Sequence, residues 1–102
     1  MHYTIVSGTK EYMLVTVGDR LEDVDDLTGL NPTFTVYDPN DTPMQTDVVA
    51  QVDVDNKLVA KCLIDTTAGG NWVSNIYRLY LKLTATPELP LLGPIPFKVE
   101  EV

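Results

Sequence analysis

A run of alternating side chains over residues 76–83 most restricts the folds that this chain can adopt. Successive side chains of a β-strand point to opposite faces of the strand. One face of the run is apolar or aromatic and consists of Tyr77, Leu79, Leu81 and Leu83. The other face is mixed and consists of Ile76, Arg78, Tyr80 and Lys82. Because the run is long for a strand, we predict a central strand over which shorter strands pack.

Further β-prone runs flank this one along the chain. We predict strands where β-branched, aromatic and alternating residues concentrate, over residues 3–6, 12–17, 32–38, 47–54, 57–64 and 95–99. Residues 38–43 combine proline, asparagine and aspartate and predict a turn. Asp55 and Asn56 suit a two-residue hairpin turn, which predicts antiparallel pairing of the strands beside them. Pro96 predicts an edge position for the last strand, or a proline nitrogen that faces away from the neighbouring strand.

These strands, together with the lack of helical periodicity, predict an all-β fold. The favoured architecture is an antiparallel β-sandwich, and a small β-barrel is the alternative. The chain has 102 residues, of which 44% are hydrophobic, and this suits one domain with a modest core. We assign residues 1–9 to an N-terminal strand or arm, and residues 10–102 to a single sandwich domain.

The chain is acidic, with a formal net charge of -8 and a pI near 4.3. Its basic residues are scattered singly, so neither nucleic acid nor an anionic membrane surface is an expected partner. No apolar run approaches the roughly 20 residues that a membrane-spanning helix needs, and no signal-peptide pattern is present. We therefore expect a soluble protein that is not exported by that route.

The sequence offers no catalytic constellation. It contains one histidine, one cysteine and no glycine-rich phosphate motif, so we expect neither enzymatic activity nor a cofactor. Acidic residues concentrate over 19–26, but the ligand order of a calcium-binding loop is absent, and we expect Leu21, Val24 and Leu27 under the sheet and the acids in water. Turn chemistry explains Asp55 and Asn56 better than metal binding does. Cys62 is expected to be a small buried hydrophobe.

The longest predicted loop, residues 65–75, contains the only tryptophan. Trp72 either caps the core of its own domain or anchors an interface, because a large rigid ring gains contact area at low entropic cost. Together with Tyr37 and Tyr80, it also suggests a carbohydrate- or receptor-binding module. We predict that Tyr77 forms a tyrosine corner, in which its hydroxyl bonds to the backbone of the preceding loop.

The order of several short motifs resembles a known family. They are Val17-Gly18-Asp19, Asp26-Leu27-Thr28-Gly29, the run from Pro32 to Pro39, Leu63-Ile64-Asp65, Tyr77-Arg78-Leu79, and Gly93-Pro94 before Phe97-Lys98-Val99. Over residues 15–99, this order is similar to that of the small immunoglobulin-like domains of tailed-bacteriophage virion proteins. The resemblance implies an immunoglobulin-like β-sandwich and a non-enzymatic role in the virion.

Such a role implies a capsid cement or decoration protein, or an accessory of the neck, tail or baseplate. The implied partners are the major capsid or tail proteins of the same virion, with the chain present as a homo-oligomer or in many copies on a symmetric lattice. Contact is expected through edge strands, loops and the mixed face of the central strand. The candidate interface residues are Tyr3, Ile5, Trp72, Ile76, Arg78 and Tyr80. We also expect residues 1–9 to contribute more to assembly than to folding.

Overall fold

A computed structural model describes residues 3–17, 27–67, 72–85 and 92–101 of the chain. These residues form β-strands and turns, with no helix among them. The strands are β1 (Tyr3–Val6), β2 (Lys10–Thr16), β3 (Pro32–Tyr37), β4 (Pro43–Val49), β5 (Gln51–Val52), β6 (Val59–Asp65), β7 (Asn75–Leu83) and β8 (Leu92–Glu100). The predicted all-β class is confirmed, and each predicted strand has a counterpart.

The strands form two sheets that pack as a sandwich. The larger sheet has the order β1-β8-β7-β3-β4, and the smaller has the order β2-β6-β5. Immunoglobulin-like sandwiches place strands G, F and C in one sheet, with C′ added in the variable type, and strands B, E and D in the other. The order β8-β7-β3-β4 matches the first set, and β2-β6-β5 matches the second. The predicted β-sandwich is therefore confirmed, and its strand order has the arrangement expected of an immunoglobulin-like sandwich.

β7 lies at the middle of the larger sheet, as the alternating run predicted. Its apolar face is buried, with no more than 3% of any of these side chains exposed: Tyr77, Leu79, Leu81 and Leu83. They belong to one core cluster with Met13 and Val15 of β2 and with Cys62 and Ile64 of β6. Burial of this apolar surface, at about 25 cal/mol per Å², holds the two sheets together.

The strand predicted over residues 47–54 is divided between the two sheets. β4 pairs with β3, whereas Gln51 and Val52 of β5 pair antiparallel with β6. The predicted two-residue hairpin turn is wrong, because the turn is closed by the Val59 N–H donating to the Asn56 carbonyl at 3.0 Å. The chain changes sheets at Ala50, which is buried. Inward-facing and outward-facing residues continue to alternate through Ala50. The sequence pattern therefore gives no sign that the chain changes sheets there.

The side chain of Gln45 covers part of the β6 edge that β5 leaves open. Its Nε2 donates to the Leu63 carbonyl at 3.2 Å, and its Oε1 accepts from the Asp65 N–H at 3.2 Å. A primary amide offers a donor and an acceptor, as a peptide group does. Gln45 therefore takes the place of a neighbouring strand along this part of β6.

β8 lies between β7 and β1, so the edge position that Pro96 suggested is wrong. β1 pairs with β8 only from Phe97 to Glu100, and Pro96 precedes this paired stretch. The missing N–H of Pro96 therefore costs no β1–β8 hydrogen bond. The β1–β8 pair is parallel and is the one departure from antiparallel pairing among the described strand pairs.

The segment from β1 to β2 is fixed to the sandwich by a buried threonine. Thr66 is 6% exposed, and its Oγ1 accepts from the N–H groups of Gly8 and Thr9 at 2.9 and 3.0 Å. The same hydroxyl donates to the Thr9 carbonyl at 2.7 Å. Ile5 of β1 is 2% exposed and joins the core. Residues 3–9 are therefore an integral edge of the fold.

Candidate functional site

The outer face of the larger sheet carries the mixed side of β7. Ile76, Arg78, Tyr80 and Lys82 alternate with the buried residues, as predicted, and Ile76 is 39% exposed. Residues opposite each other in register share a face of the sheet. Their neighbours on this face therefore come from β3 and β8. We call this surface the large outer face, defined by Thr33, Thr35, Tyr37, Ile76, Arg78, Tyr80, Lys82 and Lys98.

A hollow of about 190 Å³ lies on the large outer face. We call it the tyrosine hollow, and it is lined by Thr33, Thr35, Tyr37, Asp47, Tyr80 and Lys82. Tyr37 and Tyr80 meet edge to face, with ring centroids 5.7 Å apart and an angle of 82° between the rings. This is a favoured geometry for aromatic pairs, so the two rings support each other.

A bulge in β4 places Asp47 at the tyrosine hollow. Phe34 pairs with Val48 and Val36 pairs with Gln45, so β4 has one residue more than β3 between these pairs. Asp47 has a φ of 49°, in the left-handed region. Its N–H donates to the Thr35 Oγ1 at 3.2 Å. The bulge therefore sets a carboxylate among hydroxyl groups.

The chemistry of the tyrosine hollow suits a small polar ligand. It combines threonine and tyrosine hydroxyls with the Asp47 carboxylate and the Lys82 ammonium group, so it offers both donors and acceptors. Aromatic rings add an apolar surface to this set. Drug-sized ligands occupy sites of about 300–1,000 Å³. The hollow, at about 190 Å³, is smaller than these sites.

Arg78 is occupied by the turn that follows β3. Its Nη2 donates to the Asp38 carbonyl at 3.0 Å and also to the Asp41 carboxylate. The hydrogen bond with Asp41 raises the pKa of Arg78 above its ordinary value. The Asp38 carboxylate accepts from the N–H groups of Asn40 and Thr42, both at 2.8 Å. The predicted turn is confirmed, and Arg78 anchors it.

Two of the candidate interface residues lie in the core, which corrects the prediction for their side chains. Ile5 is 2% exposed, and Trp72 is 3% exposed. The Trp72 ring stacks on Tyr77 with centroids 5.1 Å apart, and Tyr77 stacks on Phe97 with centroids 5.9 Å apart. Trp72 therefore caps the core of its own domain, which was the alternative to an interface anchor. Ile5 pairs in register with the buried Val99, so it shares the inner face of the sheet.

The predicted tyrosine corner is confirmed. The Tyr77 hydroxyl donates to the Val73 carbonyl at 2.9 Å. Burial raises the pKa of Tyr77 above its ordinary value, with Asp38 and Glu101 adding to the shift. The hydroxyl therefore remains a hydrogen-bond donor at neutral pH, and it fixes the entry to β7.

Tyr3 is separated from the other exposed candidates. It is 43% exposed and pairs in register with Phe97, so it lies on the inner side of the larger sheet, in line with the core. Ile76, Arg78 and Tyr80 instead share the large outer face. The structure therefore brings together three of the six candidate residues.

The outer face of the smaller sheet is a further exposed surface that the sequence did not single out. Tyr12 and Leu14 of β2 are 45% and 44% exposed. The Lys61 ammonium group lies 5.1 Å from the Tyr12 ring centroid. A groove of about 240 Å³ continues this surface and is lined by Tyr12, Gln45, Val48, Val49, Gln51, Lys61, Leu63 and Asp65. Both faces of β2 carry large apolar residues. The sequence signal for the exposed face was therefore limited to Lys10 and Thr16, which lie on the same face as Tyr12 and Leu14.

The remaining residues considered for chemistry have structural roles where they are described. Cys62 is fully buried, and burial raises the pKa of its thiol to about 12, as expected for a core residue. The Asn56 side chain accepts from the Leu58 N–H, which is turn chemistry as predicted, whereas the other side-chain acceptor in this turn is Asp53 rather than Asp55. Among the described residues, no group of three or more His, Cys, Asp or Glu is arranged for a metal ion. Residues 19–26, with Leu21 and Val24 among them, lie outside the described part, whereas Leu27 is buried as predicted.

No helix in the described part of the chain is long and apolar enough to cross a membrane. The chain matches no protein-family model, no curated protein and no solved structure.

Proposed function

We propose that this chain is a non-enzymatic structural module of a tailed-bacteriophage virion, a capsid cement or decoration protein that binds neighbouring coat subunits. The observation that carries the proposal is the large outer face of an immunoglobulin-like sandwich, where Ile76 is exposed on the central strand. Within the described residues, the motifs that resemble virion domains lie on the strands of this sandwich or in the segments beside them. The proposed location is the virion, after synthesis in the host cytoplasm.

The large outer face suits adhesion because it is rigid and presents both apolar and charged groups. Ile76 and Lys98 lie side by side in register, and Arg78 and then Tyr80 follow along β7 on the same face. A standard interface buries about 800 Å² per partner. Repetition of a weaker contact on a symmetric particle would raise the overall affinity through avidity.

Mass spectrometry of purified particles tests the proposal. We expect the chain at a copy number set by the symmetry of the capsid, and its absence from particles would contradict a virion role. A copy number that matches the neck, tail or baseplate would favour an accessory at that location, which is the alternative form of this proposal.

A pair of substitutions tests the face itself. Ile76→Asp places a charge on the exposed apolar part of the proposed contact, and we expect particle occupancy to fall about tenfold, which corresponds to about 1.4 kcal/mol. Val54→Asp is the matched control, because Val54 is 86% exposed in the loop after β5. Equal occupancy for the two variants would exclude the large outer face as the contact.

The tyrosine hollow favours a second candidate function, a carbohydrate- or receptor-binding module. A glycan array probed with the purified chain tests it, and we expect binding to be lost in Tyr80→Ala. Tyr12→Ala is the matched control, since Tyr12 is an exposed tyrosine on the other sheet. An array with no hits, or hits that both variants retain, would contradict this function.

A further inference from the structure

The four edges of the two sheets differ in how they resist pairing with another strand. An open edge presents unpaired backbone groups, and natural proteins protect it with short strands, charges, prolines or bulges. β5 has 2 residues, and β1 has 4 residues with its Val6 N–H donating to the Glu11 Oε2 at 3.1 Å. β4 begins at Pro43 and contains the bulge at Asp47. Three of the four edges therefore carry a protective device.

β2 has neither a proline nor a bulge, and its charged residues, Lys10 and Glu11, lie only at its beginning. It has 7 residues, contains no proline, and pairs with β6 in continuous register from Lys10 to Thr16. Among the described strands, β6 pairs with one edge of β2 and no strand pairs with the other, because β2 is the end strand of its sheet. A long and regular edge of this kind is a template for another strand.

The hydrogen bonds at the two ends of β2 show which backbone groups face the open edge. The Val17 N–H donates to the Leu58 carbonyl at 2.8 Å, and the Thr9 carbonyl accepts from the Thr66 N–H at 3.1 Å. Backbone groups of an antiparallel strand alternate between its two sides. Odd-numbered residues therefore point to β6, and the even-numbered residues point their N–H and C=O groups to the open edge: Lys10, Tyr12, Leu14 and Thr16.

The side chains beside this edge are complementary to themselves. In an antiparallel pair of two β2 strands with Met13 opposite Met13, Tyr12 lies opposite Leu14 and Lys10 lies opposite Thr16. Aromatic and aliphatic cross-strand pairs are favourable, and no like charges oppose each other in this register. In this register, the residues whose N–H and C=O groups face the open edge lie opposite each other. Each strand can therefore donate hydrogen bonds to the other and accept hydrogen bonds from it.

We infer that β2 pairs antiparallel with β2 of a second copy of this chain, which joins the two smaller sheets into one continuous sheet. The exposed Tyr12 and Leu14 of each copy then pack against those of the other. The inference needs no partner but the chain itself, so it stands apart from the proposed virion role. One strand pair is smaller than the roughly 800 Å² per partner of a standard interface. We therefore expect a weak, reversible dimer whose population rises with protein concentration.

Sedimentation equilibrium of the purified chain tests the inference. We expect a concentration-dependent dimer that Leu14→Lys weakens at least tenfold, because a lysine on an edge opposes strand addition. Val49→Lys is the matched control, since Val49 is a 74% exposed apolar residue on the β4 edge. A wild-type chain that stays monomeric would overturn the inference, including the case in which this edge binds a strand of a different protein. Equal effects of the two lysines would also overturn it.

Disulfide trapping tests the register. Opposed residues of a hydrogen-bonded antiparallel pair have Cα atoms about 5.5 Å apart, which a disulfide can span. We expect the double variant Tyr12→Cys/Leu14→Cys to form a covalent dimer, while each single variant remains uncrosslinked. Cys62 does not interfere, because it is fully buried. Efficient crosslinking of a single variant, or none in the double variant, would overturn the register.

Discussion

Gly93 shows how one residue sets the path of a strand. Its φ is +136°, which L side chains rarely adopt, and a Cβ atom there would lie 2.8 Å from the Leu79 carbonyl oxygen and 3.0 Å from the Tyr80 ring. The position lies beside the irregular pairing between Leu79 and Leu81. Glycine is therefore required by both backbone conformation and space.

Replacing Gly93 with alanine should destabilise the fold. We expect Gly93→Ala to lower the free energy of unfolding by about 2–3 kcal/mol, because it adds a steric clash to backbone strain. Gly8→Ala is the control, since Gly8 also has a positive φ of +88° but no atom within 4 Å of the added Cβ. Urea unfolding measures the difference, and equal losses in both variants would show that space at Gly93 is not limiting.

The tyrosine corner gives a second prediction at the residue scale. Tyr77→Phe leaves the Val73 carbonyl without its donor, and we expect a loss of about 1–2 kcal/mol. Tyr37→Phe is the control, as a half-buried tyrosine on the outer face. Because the folded pKa of Tyr77 is raised from 10.0, its contribution should be complete below pH 10 and decline at higher pH. Unfolding curves at rising pH check this, and a flat difference would contradict it.

At the scale of elements, β1 behaves as part of the core. The expectation that residues 1–9 serve assembly more than folding conflicts with the burial of Ile5. We predict that Ile5→Ala lowers the free energy of unfolding by about 2–5 kcal/mol, through lost contacts and the cavity left behind. Val6→Ala, at a 36% exposed position of the same strand, should cost far less. Similar small losses in thermal or urea unfolding would restore the view of a loosely attached arm.

The strands that the sequence predicted best are those with one clearly apolar face. β7 and β6 each bury the face that alternation indicated. The sequence did not predict the crossing at Ala50, because the inward phase continues through it. The candidate site was predicted only in part. Alternation correctly placed Ile76 and Tyr80 on the outer face. The bulge that brings Asp47 to the tyrosine hollow was not predicted, because it depends on how β4 pairs with β3 and not on the local sequence.

At the scale of the whole molecule, charge governs how copies meet. Each chain carries a net charge of -8, so two copies repel each other. The Debye length falls from about 30 Å at 0.01 M salt to about 8 Å at 0.15 M. We therefore expect the β2 dimer to tighten as salt is raised over this range, measured as a lower Kd by sedimentation. Weakening by salt would indicate that ion pairs, rather than edge pairing, hold the copies together.

The side-chain amide of Gln45 has a consequence for where the chain can change sheets. It adds one rung to the β6 ladder beyond the two residues of β5. The chain can therefore pass from one sheet to the other at Ala50 while the Leu63 carbonyl and the Asp65 N–H of β6 keep hydrogen-bond partners. A single polar side chain thus replaces part of a longer strand at the point where the chain leaves the edge of β6.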